Sequence, residues 1–276
     1  LLSGMFGIPA QEDGPRTAAG RRRPSLPCHS GSRPKPASPQ AAGTPFSYIP
    51  AEYVDRLVSS ENSFCKCLKQ LFDPHLVEYL TEQYRLGVYE LPEHADCTVF
   101  PSIDTQGRVH NLKVQHYDTD PRSEHFFKSD KRHIFWLGAQ LARQGVVPQD
   151  AVFDNNCLFG AHLLHGRPAA MVMLVESPKN AVVGAAACPQ HVWVATGSKT
   201  MLNRETLMPL TGRQVFAYPD RDAIGLWRQT LSGMKDLALF QVSDFCEQFA
   251  PAEDLKFDVA DHIISQRIGT MHGAGT

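Results

Sequence analysis

Residues 170–181 read Ala170-Met171-Val172-Met173-Leu174-Val175-Glu176-Ser177-Pro178-Lys179-Asn180-Ala181. Six apolar residues in a row are too few for a buried helix and match a strand covered on both faces, the mark of a parallel sheet. A carboxylate follows directly, and Pro178 opens a helix through Ala187. Working outward, the alternation recurs. Residues 192–195 read as the next strand and 199–210 as helical in composition, trimmed by Pro209. Residues 214–218, 223–235 and 238–242 then give strand, helix and strand. Such alternation implies an α/β domain over 167–276, a parallel sheet flanked by helices and joined by right-handed crossovers.

The chain upstream has a different texture. Asp73-Pro74 is an N-cap followed by proline at the first helical position, and Gly87 is placed to end that helix. Leu76, Val77, Leu80 and Tyr84 fall on one of its faces, and Phe64, Leu68 and Leu71 give residues 62–72 a second amphipathic face. Residues 98–103 and 109–117 alternate as strands around Asp104-Thr105-Gln106-Gly107, a β-hairpin pattern. Residues 120–150 carry no clear period. Residues 46–166 therefore read as a small α+β subdomain. Residues 1–45 hold eight of the twenty prolines and six basic against two acidic residues. They cannot bury enough apolar surface to offset ordering, so a disordered linker is expected there. Its Arg21-Arg22-Arg23 run reads as a phosphate-contacting arm or a solvated tether.

Composition excludes some classes. No stretch approaches 18 consecutive apolar residues, so no membrane span is expected. Seven cysteines without regular spacing argue against a secreted disulfide framework. A formal charge of −2 argues against a protein that grips nucleic acid by bulk charge. The charge is uneven, however: +4 over 1–45, +2 over 171–230 and excess acid elsewhere.

In open α/β sheets ligands bind at the carboxyl ends of strands. Glu176 follows one strand there, and Asp220 and Asp222 follow another across Pro219. If those strands are neighbours, three carboxylates converge, which repulsion permits only with a raised pKa or a bound hard cation. Oxygen ligands favour Mg²⁺ or Mn²⁺, one ion neutralising a phosphoryl group or two clamping both reacting oxygens. The competing assignment is helix caps or solvated loops, Asp222 being placed to cap the helix at 223. Lys179 and Lys199 flank these acids, and the Gly197-Ser198 backbone could hold a phosphate. Cys65-x-Cys67 reads as one core and one surface thiol, and His162 with His165 lacks a third ligand. Gly184 and the alanines 185–187 read as close helix–sheet packing, since no Gly-x-Gly-x-x-Gly pattern occurs. Trp136, Trp193 and Trp227 read as core. A phosphatase with an Asp-x-Asp nucleophile is a rival for Asp220, but the following Thr is missing.

The ordered set Leu174-Val175-Glu176-Ser177-Pro178-Lys179-Asn180-Ala181, Ala195-Thr196-Gly197-Ser198 and Tyr218-Pro219-Asp220-Arg221-Asp222-Ala223-Ile224-Gly225 resembles a Toprim domain. That fold is shared by bacterial primases, type IA and II topoisomerases and related nucleases. Phe257-Asp258-Val259-Ala260-Asp261-His262-Ile263-Ile264 is similar to the acidic segment that follows Toprim domains in primases. Residues 46–166, with Cys157-Leu158-Phe159-Gly160-Ala161-His162-Leu163-Leu164, resemble primase-like proteins of bacterial mobile elements and plasmids. The resemblance implies Glu176 as acid/base and Glu176, Asp220 and Asp222 as ligands of Mg²⁺ or Mn²⁺. Lys179, Gly197, Ser198, Lys199 and Arg221 would meet phosphate. It further implies primase-like nucleotidyl transfer in the cytoplasm, with DNA and nucleotides as partners and a replicative helicase as a further candidate. A Toprim nuclease and a non-catalytic replication-accessory module are the alternatives. Two departures stand out. Ser177 replaces the usual glycine, and Cys28-His29 is too little for the zinc module that normally precedes a primase core.

Overall fold

The computed structural model describes residues 46–129 and 131–273. The expected linker, its arginine run and Cys28-His29 lie outside the described residues. The described chain forms two four-stranded sheets, one antiparallel and one parallel, with helices around both.

Three helices come first: α1 (Ala51–Leu57), α2 (Ser63–Leu71) and α3 (Pro74–Tyr84). The Asp73 side chain accepts from the N–H groups of His75 and Leu76, as its position before Pro74 implies, and Arg85 closes the helix in the left-handed region. The antiparallel sheet has the order β1 (Gly87–Tyr89), β2 (Cys97–Ile103), β3 (Val109–Gln115), β4 (Phe135–Trp136), and α4 (Gly138–Arg143) follows it. The hairpin between β2 and β3 forms where alternation placed it. Asp104 Oδ1 accepts from the N–H groups of Gln106 and Arg108, and Gly107 takes the positive φ the turn requires.

The second half contains β5 (Val172–Val175), α5 (Pro178–Ala187), β6 (Val192–Ala195), α6 (Arg204–Leu207), β7 (Gln214–Tyr218), α7 (Ile224–Ser232), β8 (Leu239–Val242), α8 (Phe245–Phe249) and α9 (Val259–Gly273). All four strands run parallel in the order β6-β5-β7-β8. The expected α/β class, a parallel sheet flanked by helices, is met. The helix expected over 199–210 shrinks to α6 and a 3₁₀ turn. Asn203 starts it late by capping the Thr206 N–H, and Pro209 has no N–H with which to prolong it.

Gly184 sits on the Trp193 ring, where a Cβ would lie 2.3 Å from Cε3, so α5 approaches the sheet more closely than any side chain there would allow. The Tyr84 hydroxyl donates to the Trp193 carbonyl at 2.9 Å, joining α3 to β6. Phe159 and Ala195 exchange backbone hydrogen bonds of 2.9 and 3.0 Å, which ties the 157–160 segment to the edge strand β6. Cys65 and Cys67 are both buried, correcting the expected surface thiol: the Cys67 thiol donates to the Asp118 carbonyl beneath a second layer of chain. Trp193 and Trp227 are core, but Trp136 is 43% exposed because β4 is the sheet edge. No helix among the described residues is long and apolar enough to cross a membrane.

Candidate active site

Strands β5 and β7 are direct neighbours, with Val175 paired to Tyr218. Glu176 and Asp220 therefore leave the sheet side by side, one and two residues past that pair. This is the juxtaposition that the spacing left conditional. The loop after β6 folds over Glu176: the Gly197 N–H donates to the Glu176 carbonyl at 2.8 Å. The carboxylate accepts from the Lys199 backbone N–H, and Oε2 is buried with no protein partner. Burial pushes the Glu176 pKa up, with Asp222 and Asp258 adding to the rise.

Asp220 Oδ1 accepts from Asn180 Nδ2 at 3.3 Å. Burial, reinforced by Asp258, Glu176 and Asp222 and opposed by Lys179, pushes its carboxyl up to about 9. Asn180 is itself fully buried and its Oδ1 has no partner. Asp222 is exposed and does not cap the helix that follows; its Oδ2 pairs with Lys199 Nζ at 2.8 Å.

The other expected phosphate contacts divide. Gly197, at φ +91°, has open space where a Cβ would be, and Thr196 Oγ1 donates to the Ser198 carbonyl at 2.9 Å, so the turn is held by the loop's own groups. Lys199 remains at the surface. Lys179 and Arg221 have other partners. Lys179 Nζ is buried between Asp258 Oδ2 at 2.9 Å and Asp261 Oδ1 at 3.2 Å. Arg221 Nη1 donates to the carbonyls of Pro251, Ala252 and Asp254, clasping the segment before α9. Asp258 and Asp261 belong to the similarity in the sequence but had no assigned role.

A cavity of about 380 Å³ adjoins the 196–198 loop, walled by Phe100, Lys113, Trp136, Phe159 and Pro178. Lys113 reaches this space from β3 in the other sheet. Burial pulls its pKa down while Glu176 pulls it up. Sequence reasoning missed Lys113, Trp136 and Asn180, since neither period nor motif marks them. β3 holds His110, Asn111 and Gln115 as well, so Lys113 does not stand out in it by polarity.

The model of a domain of unknown function, DUF6371, matches residues 62–221. The chain belongs to the DUF6371 family. The DUF6371 match covers the strands from β1 to β7, includes Glu176 and Asp220, and ends one residue before Asp222. No curated protein matches the chain. Among solved structures, the RNA polymerase domain of Mycobacterium tuberculosis primase DnaG is similar at 10% identity, over 81% of this chain and 80% of that one, with a TM-score of 0.46. The E. coli primase catalytic core is similar at 14% identity over 79% and 78%, with a TM-score of 0.45. The primase fragment of the bacteriophage T7 primase-helicase follows at 12% identity over 71% and 69%, with a TM-score of 0.41.

A hard divalent cation fits these residues. Glu176 Oε2 and Asn180 Oδ1 are buried oxygens without a partner, beside the Asp220 carboxyl, which burial and the neighbouring carboxylates push up and a cation would pull back down. Among the described residues no three His, Cys, Asp or Glu side chains form a ready-made cage. Mg²⁺ does not need one, since it binds through one or two carboxylates and keeps waters and substrate phosphates.

Proposed function

We propose that this DUF6371 chain performs metal-dependent nucleotidyl transfer on DNA, as a primase-like protein serving replication of a mobile element or plasmid in the cytoplasm. The observation that supports it most is the β5–β7 register, which sets Glu176 beside Asp220 at adjoining strand ends. A bound Mg²⁺ or Mn²⁺ would supply charge neutralisation at phosphate oxygens. Glu176, Asp220 and Asp222 would hold it, and Asn180 orients Asp220 through its amide. Glu176 Oε2, raised in pKa and unpartnered, is suited to take a proton from an attacking hydroxyl and return it to a leaving group. The Lys199 ammonium and the Ser198 backbone would meet phosphate oxygens, the Gly197 N–H being held by the Glu176 carbonyl. Lys113 lends positive charge from the opposite wall. Substrates on this reading are DNA and nucleotides, with a helicase as a further partner.

The test is template-directed primer synthesis with Mg²⁺, comparing the unaltered chain with Asp220→Ala/Asp222→Ala. Synthesis by the unaltered chain that falls at least about 100-fold in the variant, the loss of a few kcal/mol of transition-state stabilisation, supports the proposal. Metal-dependent nicking without synthesis replaces it with a nuclease. DNA binding unchanged by the substitutions, with neither activity, replaces it with an accessory module.

A further inference from the structure

The acids at the mouth of the parallel sheet fall into two halves with different chemistry. Asp258 and Asp261 open α9, and every one of their carboxylate oxygens has a protein donor. Asp258 Oδ1 accepts from the Asp261 N–H at 2.8 Å, and Asp261 Oδ2 accepts from the Asp258 N–H at 3.4 Å. Asp258 Oδ2 takes Lys179 Nζ at 2.9 Å. Asp261 Oδ1 takes both Lys179 at 3.2 Å and Lys128 Nζ at 2.8 Å. Two carboxylates thus meet two ammonium groups, and this half is neutral. In the other half Glu176 Oε2 and Asn180 Oδ1 have no partner. Glu176, Asp220 and Asp222 carry at most three negative charges, with Lys199 paired to Asp222 and Lys113 opposite Glu176, enough for one divalent ion and too few for two.

Lys179 is held in place by the local sequence. Ser177 caps α5 by accepting from the Asn180 N–H at 3.2 Å, and Pro178 fixes the first turn. The first turn therefore carries Lys179 toward α9 and Asn180 toward Asp220 at once.

We propose that the Lys179 ammonium is the built-in cation of the Asp258–Asp261 half, so that the site takes a single divalent ion, on the Glu176–Asp220–Asp222 half. A covalently attached ammonium is always present at its site, so a free ion could enter only by displacing it. Removing it would leave a buried, unpaired carboxylate, a strongly unfavourable state that a divalent cation would relieve. The proposal rests on the metal reading above for its one ion, but the count gained on removing Lys179 is independent of that reading.

The probe is Mn²⁺ alone, titrated into the metal-stripped full chain and counted by electron paramagnetic resonance of the free ion. One ion is expected for the unaltered chain, two for Lys179→Ala, and one again for Lys179→Ala/Asp258→Asn. In Asp258→Asn alone the count stays at one, because that carboxylate is not a ligand. Two ions in the unaltered chain overturn the proposal without any variant, as does a count that falls to zero in Asp258→Asn. An equal count in folded Lys179→Ala and the unaltered chain also overturns it. If Lys179→Ala folds only with Mn²⁺ added, that dependence supports the proposal. Zero ions in the unaltered chain overturn the single-ion count together with the Glu176–Asp220 metal reading, whereas the role of Lys179 as a built-in cation is overturned only if Lys179→Ala gains no ion over the unaltered chain.

Discussion

Gly184→Ala is a sharp test of how α5 meets the sheet, because two effects of opposite sign compete. Alanine in place of a helical glycine stabilises by about 1 kcal/mol through propensity. Against this, the new Cβ would lie 2.3, 2.4 and 2.6 Å from three atoms of the Trp193 ring. Ordinary carbon contacts are about 3.5–4.0 Å, so the ring or the helix must move by about 1 Å. Trp193 has little room: it is 1% exposed, its Nε1 donates to the Cys188 carbonyl at 3.1 Å, and its ring stacks on Tyr218 at 6.1 Å. Overpacking of a filled core costs about 1–3 kcal/mol, and this overlap belongs at the upper end. The net expectation is a loss of about 2 kcal/mol. With a urea m-value near 3 kcal/mol/M for a chain of this size, the midpoint should fall by about 0.7 M. Gly225→Ala is the control, since nothing lies within 4 Å of its added Cβ, and it should raise the midpoint slightly. A Gly184→Ala midpoint equal to or above that of the unaltered chain would refute the close-packing account.

Three further outcomes follow from the same geometry. Asp220 is raised from 3.8 to about 9, so the folded state holds a proton the unfolded state releases, and stability falls as pH rises from about 4 to about 9. Converted in full, that gap is about 7 kcal/mol; because Asp220 keeps partial solvent contact, Asp220→Asn should gain about 2 kcal/mol at pH 9 and almost nothing at pH 4. Urea melts in chelator check this, and parallel pH profiles for the two proteins would contradict it. Tyr84→Phe removes the buried bond to the Trp193 carbonyl and should cost about 1–2 kcal/mol in the same melts. Arg221→Ala frees the carbonyls of Pro251, Ala252 and Asp254, so proteolysis should become faster in 250–257, an outcome refuted if the cleavage rate there is unchanged.

Local signals in the chain were reliable where the physics is local. The Asp73-Pro74 cap, the apolar run 170–175 and the Asp104–Gly107 turn each carry their own backbone instructions, and each forms as expected. The 199–210 stretch misled because its helical composition is overridden by Asn203, whose side chain caps the backbone at Thr206, and by Pro209, which has no N–H to continue the helix. Trp136 misled for a different reason. Hydrophobicity gives a preference for burial, but an edge strand leaves its residues uncovered.

For the candidate site, the sequence by itself determined that Glu176 and Asp220 each follow a strand, because strand ends can be found from period and length. That β5 and β7 are adjacent, and so bring the two acids together, depends on the strand order β6-β5-β7-β8, which only the tertiary structure decided. The same holds for the lysines. Lys113, Lys179 and Lys199 are equal charges in the chain. Folding buries the first opposite Glu176, locks the second between Asp258 and Asp261, and leaves the third at the surface beside Asp222. A charge acquires its role from its partners and its dielectric surroundings, and both are set by residues far away in sequence.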